Sequence, residues 1–249
     1  NDGDARVRLA SAFGASAQSA GEMEQSIRYY DQAIGLASGK ARLELQRGQA
    51  DVFLRLNRFV PAIEQAGAVL EALPSDRDAL RIKAIGMSLQ FGRQGSAPAS
   101  EVVRALEAAR EVNPNHIHLA VVSAEFLRRH ASDSQSADQI MAEVVDRLPK
   151  DTTALLAVYE YRRRHQAGGA DEILERALAL GADDANVQFR GGERAAELAK
   201  DARRKGDEAL ANSQYKSAVS RFERAIELTP WDRRSYVGAA NAHASAEQL

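Results

Sequence analysis

Cysteine is absent from all 249 residues. That removes disulfides, thiolate metal sites and cysteine nucleophiles together, and leaves the compartment open. No apolar run approaches the roughly 18–20 residues of a membrane-spanning helix, and no secretory leader is visible, so membrane insertion is not expected. The first residue is Asn1 rather than Met, which points to a processed product or a piece of a longer chain. Aromatic residues are only 6% of the chain, although hydrophobic residues reach 45%, because much of that share is alanine. Large apolar knobs are therefore few, and small contacts between helices must supply much of the packing. A net charge of −2 excludes a generally basic nucleic-acid binder but leaves room for a local basic patch. Lysine is scarce, outnumbered 27 to 6 by arginine, which fits composition bias or anion recognition.

Catalytic signatures are missing as well. There is no nucleophile elbow, phosphate-binding P-loop, dinucleotide fingerprint or EF-hand loop. His116 and His118 are two apart and so lack the i, i+4 geometry of a helical zinc pair. The doublets Gly168-Gly169 and Gly191-Gly192 read as turns rather than phosphate cradles. The chain is expected to be non-catalytic, with no cofactor and no metal.

What is present is a helical repeat. Apolar or small residues recur at offsets of four and three in Ser26/Tyr30/Ala33, Ala62/Ala66/Val69, Val102/Leu106/Ala109, Ala137/Met141/Val144, Ala170/Leu174/Ala177 and Ala218/Phe222/Ala225. Each triplet marks one face of a 3.6-period helix. Gly39, Pro74, Pro114, Pro149, Gly181 and Pro230 follow them and stop each helix. A preceding helix in each unit carries Gly14, Ala50, Gly86, Ala124, Tyr159 or Gly206 as its mid-helix contact. Tyr159 is too large for such a contact, so the fifth unit is expected to be splayed or shifted. Gly92-Arg93-Gln94-Gly95-Ser96-Ala97-Pro98 reads as an enlarged turn in the third unit, and Asp133 as an N-cap. The sixth unit comes late, and Phe189-Arg190-Gly191-Gly192 reads as a break before a long helix Glu193 to Asn212.

Ala202-x3-Gly206-x2-Ala209, then Tyr215-x2-Ala218-x3-Phe222-x2-Ala225 and Pro230, resembles one tetratricopeptide repeat of about 34 residues. Weaker copies run back to the start of the chain. The resemblance implies an all-α fold: a right-handed α-solenoid of about six helix-turn-helix repeats plus an unpaired C-terminal helix, Ser235 to Glu247. Residues 1–182 would hold repeats one to five, irregular in three to five. Residues 183–198 would be a connector or hinge, and 199–249 repeat six with the terminal helix. Other helical-hairpin repeats of similar length stay open for the loose middle.

In that family the first helices line a concave groove. The matching positions hold twelve basic residues against five acidic, so the groove would carry about +7 and the remainder about −9. Arg47, Arg55, Lys83, Arg128, Arg129, Arg163 and Arg164 are the expected partner contacts, because a guanidinium fork holds carboxylates in bidentate fashion. Ala211 is expected to look into this groove. The family's clamp for chaperone tails needs groove asparagines, and none stands at the matching positions. The expected function is a protein-interaction scaffold that takes a peptide or helix, acidic by the groove charge, and not nucleic acid. Homo-oligomerisation through the terminal helix, and service as an accessory domain of a larger enzyme, are the alternatives.

Overall fold

The computed structural model describes residues 20–94 and 97–246, with Ala5, Arg8, Leu9, Ala12 and Ser16 before them. Its helices are α1 (Ala20–Leu36), α2 (Gly39–Arg55), α3 (Phe59–Ala72), α4 (Arg77–Gln94), α5 (Ala99–Val112), α6 (Ile117–His130), α7 (Ser134–Arg147), α8 (Thr152–Arg164), α9 (Ala170–Leu180), α10 (Ala185–Arg204), α11 (Glu208–Leu228) and α12 (Arg233–Ala246). No strand occurs among the described residues, and no helix there is long and apolar enough to cross a membrane. The fold is an all-α helical-repeat solenoid. It divides into two compact units, Asn1–Ile140 and Met141–Leu249.

The triplets of small and apolar residues fall where their spacing puts them, on α1, α3, α5, α7, α9 and α11, and all but Ala170 are buried. Offsets of four and three return a side chain to the same stripe of a helix, so each triplet forms one buried face. In the first unit Ile27, Tyr30 and Ala33 of α1 pack with Leu45 and Val52 of α2. Ala62, Ala66 and Val69 of α3 join Ala50 of α2 to Ala79 and Ile82 of α4. Val102, Leu106 and Ala109 of α5 then join α4 to Leu119 and Phe126 of α6. In the second unit Ala218, Phe222 and Ala225 of α11 sit between Phe189 and Ala195 of α10 and Ala239 and Ala242 of α12. Within each unit these hairpins thus share a core with the next, as expected of a stack held by nearest-neighbour contacts.

Short polar side chains start the helices. Asp133 accepts a hydrogen bond from the Ser136 N–H at 2.9 Å, Asp151 from Ala154 at 3.0 Å and Asp207 from Leu210 at 3.0 Å. Asp184 accepts from Asn186 at 2.9 Å and Val187 at 3.3 Å. His116 plays the same part for α6, its Nδ1 accepting from Leu119 at 3.2 Å. Each cap satisfies donors that the first turn of a helix leaves unpaired.

The sixth repeat departs from its expected register. Residues 189–192 lie inside α10, not at a break, and the turn falls at Lys205-Gly206-Asp207. Gly206 has φ +80 and an ideal Cβ there would meet nothing within 4 Å. It is a left-handed turn residue, not a mid-helix contact. The close contacts are made instead by Gly191-Gly192, which are neither a turn nor a cradle. A Cβ on Gly192 would lie 2.8 Å from the Phe222 ring, and one on Gly191 2.7 Å from Leu178. Because α11 starts at Glu208, Ala211 is buried rather than groove-facing. The spacing misleads here because Gly206 stands at the close-packing distance from Ala218 along the chain, yet serves the turn.

Two smaller departures follow. Tyr159 is fully buried, with its hydroxyl accepting from Arg163 at 3.2 Å. The fifth unit therefore absorbs a large residue, and Ala170 at the start of α9 is left half-exposed. Helix α4 continues through Gln94, shortening the expected turn, whose Gly95 and Ser96 lie outside the described residues. Gly14 lies outside them too. Gly86 is a close contact, but with the preceding hairpin rather than the second helix of its own unit: a Cβ there would lie 3.0 Å from Ile63 of α3.

Candidate functional site

The first helices of successive hairpins also touch one another directly: α2 with α4 and α4 with α6 in the first unit, α10 with α12 in the second. Their exposed rows therefore form a face with no second helix in front of it. Within the first unit one cleft lies against its first helices, and within the second unit two do.

In the first unit a cleft of about 370 Å³ is lined by Tyr30, Glu44, Arg47, Gly48, Asp51, Asp78, Arg81 and Ile82. Arg47 donates to Asp76 at 2.9 Å and Arg81 to Asp51 at 3.0 Å, so consecutive first helices are tied by guanidinium–carboxylate pairs. Gly48 gives room for the Tyr30 hydroxyl, 2.6 Å from where its Cβ would stand. Burial, and then the Asp51 charge, push the Tyr30 phenol above its ordinary pKa.

In the second unit a cleft of about 290 Å³ is lined by Tyr159, Glu160, Arg163, Arg164 and Arg190. Here Arg163 meets Glu197 at 2.6 Å, and Arg190 meets Glu160 at 2.5 Å and Glu193 at 2.7 Å. Arg194 adds pairs to Asp171 at 2.6 Å and Glu197 at 3.5 Å. Helices α8, α9 and α10 are thereby joined by a ladder of alternating charge.

The largest cleft, about 630 Å³, lies between α10 and α12 over α11. Phe189, Tyr215, Phe222, Val237 and Ala242 supply its apolar lining, and Arg190, Glu193, Glu197, Lys200, Arg233 and Arg234 stand around it. The Phe189 and Phe222 rings are 5.7 Å apart. The guanidinium groups of Arg190 and Arg234 lie 5.6 Å and 5.0 Å from the Phe189 ring centre, within cation–π range.

The seven expected contacts are distributed as follows. Arg47 lines the first cleft, and Arg163 and Arg164 share the second. Arg128 is paired with Asp138 of its own hairpin, and Arg129 with Glu125 one turn earlier at 3.1 Å. Lys83 is half-buried on α4 and Arg55 exposed on α2. At least four of the seven thus hold carboxylates of the chain itself. Asp76, Asp138 and Glu197 escaped the groove tally because they stand on neighbouring turns and helices, and pairing across the stack is invisible to a count along one helix. The α10–α12 cleft escaped because the sixth register was displaced. With Gly192 as the true contact of α10, the groove positions become Asn186, Phe189, Arg190, Glu193, Ala196 and Glu197, and the last five line that cleft. Arg234, placed in the groove from sequence, lines it too.

At the head of α6, burial first and Arg81 second hold both His116 and His118 below the ordinary histidine pKa. His116 must be neutral to accept the Leu119 hydrogen bond, so it acts as a cap rather than a ligand. Among the described residues no cluster of three His, Asp or Glu side chains is arranged to hold a metal ion.

In sequence the chain matches no family model and no curated protein. In structure it is similar to the human IFIT1 dimer with m7Gppp-AAAA, with a TM-score of 0.54 at 17% identity. That match covers 91% of this chain and 53% of IFIT1, so the chain spans about half the length of that protein. It is also similar to YrrB, a TPR protein with an unusual peptide-binding site, with a TM-score of 0.47 and 17% identity over 73% of this chain and 88% of that one. MamA from Desulfovibrio magneticus RS-1 aligns with a TM-score of 0.48 and 18% identity over 79% of this chain and 99% of that one. At such identities the likeness concerns the fold alone.

Proposed function

We propose that the chain is a non-catalytic scaffold that holds a segment of a partner protein against its first-helix face. The observation that carries this reading is that within each unit the clefts are lined by first helices, α2 and α4 in the first unit, and α8, α10 and α12 in the second. First helices packed side by side within a unit offer an extended surface, suited to a peptide or helix rather than to a compact small molecule. Arg47, Arg55, Lys83, Arg128, Arg129, Arg163 and Arg164 remain the proposed contacts, and an acidic segment the proposed ligand. Because Arg47, Arg128, Arg129 and Arg163 already hold internal carboxylates, such a ligand binds by exchanging one carboxylate for another. That favours modest, salt-sensitive affinity over tight binding.

The rival is a nucleic-acid ligand, raised by the likeness in fold to IFIT1 with m7Gppp-AAAA. The pairing of the groove arginines with neighbouring acids argues against it, since counterion release needs cations free to meet phosphates. One experiment separates the two. The chain is immobilised and challenged with protein extract before and after nuclease treatment, alongside an Arg128→Glu/Arg129→Glu variant and an outer-face Arg176→Glu/Arg224→Glu variant. A protein retained by wild type and the outer-face variant, lost from the groove variant and indifferent to nuclease, supports the scaffold. Equal loss from both variants, or loss on nuclease treatment, refutes it.

A further inference from the structure

The α10–α12 cleft has a chemistry of its own. Its floor is apolar and nearly closed, with Phe222 and Tyr215 each 2% exposed and Phe189 7% exposed. Its wall is not closed, because Val237 leaves 60% of its surface open. A branched apolar side chain facing an apolar floor across open space is half of a hydrophobic contact. Its volume, about 630 Å³, lies in the range of ligand-holding clefts.

The charges around it are unequally met. Arg190 is neutralised by Glu160 and Glu193, and Arg234 by Asp232 at 2.8 Å. Glu197 is occupied by Arg163 and Arg194. Lys200 and Arg233, on α10 and α12, form no ion pair among the described residues and are exposed. After internal pairing the rim keeps two positive charges and no free negative one.

We propose that this cleft is the anchoring site for a partner-protein segment that carries one bulky apolar side chain flanked by carboxylates. The apolar side chain sits against Val237, Ala196 and the edge of Phe189. The carboxylates meet Lys200 and Arg233 on the two sides of the cleft. This rests on the scaffold reading and gives it a specific location and ligand chemistry. A single-stranded nucleic acid fits less well, because stacking needs an open aromatic face and each ring in the floor is covered. A small anion fits less well too, since both free cations stand on exposed, flexible stems with no buried donor beside them.

The test uses the full chain and a phage-displayed library of random 12-residue peptides. Selected peptides are synthesised with a fluorophore and titrated by anisotropy against wild type, Val237→Asp, Lys200→Glu/Arg233→Glu and Trp231→Ser. Trp231 is 81% exposed and does not line the cleft. The expected result is a consensus of one large apolar residue beside two or more Asp or Glu. Affinity should fall at least about tenfold in each cleft variant, and Trp231→Ser should leave it unchanged. All substituted side chains are exposed, so far-UV circular dichroism should match wild type, and the double charge reversal tests the site should Val237→Asp not fold. Peptides that bind both cleft variants as tightly as wild type overturn the site while leaving the scaffold reading in place. So does a consensus lacking carboxylates. Concentration-dependent dimerisation that Val237→Asp abolishes makes a second copy the occupant and overturns the proposed ligand. Recovery of no peptide at all overturns both readings.

Discussion

Phe222 offers the sharpest test of how the second unit is packed. Its ring edge meets two glycine backbones. An added Cβ would stand 2.8 Å from the ring at Gly192 and 2.6 Å at Gly238. A relaxed carbon–carbon contact is about 3.5–4.0 Å, so Gly192→Ala asks the ring to move by roughly 0.7 Å or more. It has little room to do so, being 2% exposed with Phe189 at 5.7 Å. Overpacking of this kind costs roughly 1–3 kcal/mol. Against that, alanine gains about 1 kcal/mol over glycine in a helix interior. The expected net is a destabilisation of up to about 2 kcal/mol. Gly67 of α3 provides the control, since a Cβ there would meet nothing within 4 Å. Gly67→Ala should stabilise by about 1 kcal/mol, so the two substitutions should differ in sign. Urea unfolding followed by circular dichroism reads both. A double-mutant cycle with Phe222→Leu should return a coupling of at least about 0.5 kcal/mol between 192 and 222. If Gly192→Ala stabilises as much as Gly67→Ala, the ring is not wedged against α10, and the corrected register of the sixth repeat is wrong.

Other consequences can be measured alongside. Gly206→Ala should destabilise by about 1–2 kcal/mol although its surroundings are open, because φ +80 disfavours a Cβ; no loss would put Gly206 back inside a helix. Trypsin should spare Arg190 and Arg194, which lie within α10 and hold carboxylates, and early cleavage there would restore the hinge expected from sequence. The depressed pKa values of His116 and His118 mean that the unfolded chain takes up protons first as pH falls. Their contribution is therefore full above the ordinary histidine value near 6.5 and declines as pH drops below it. His116→Asn with His118→Gln should flatten the stability profile between about pH 7.5 and 5.5, and an unchanged slope would refute the assignment. Ser26 is fully buried with no hydrogen-bond partner for its hydroxyl among the described residues, so Ser26→Ala should raise stability by about 1 kcal/mol; a loss would reveal a partner.

The helix stripes were legible because burial and period are local facts. Offsets of four and three at Ala62/Ala66/Val69 or Ala218/Phe222/Ala225 can be satisfied only by a helix with neighbours on that face, and the breakers after each stripe set its end. Asp133 as a cap was legible for the same reason. Which small residue meets which helix was not. Gly206 and Gly192 are both glycines upstream of Ala218, and only the path of the chain decides that one turns it while the other receives Phe222. The charge of the first-helix face was likewise beyond the sequence. Arg47 and Asp76, or Arg163 and Glu197, stand 29 and 34 residues apart, and a tally along single helices counts the cations without their partners. Sequence by itself determined the repeating helices and their buried faces, because those follow from periodicity. Tertiary structure alone decided where two backbones touch, which charges are spent on each other, and that Val237, Lys200 and Arg233 are left facing open space, because each depends on residues brought together by stacking.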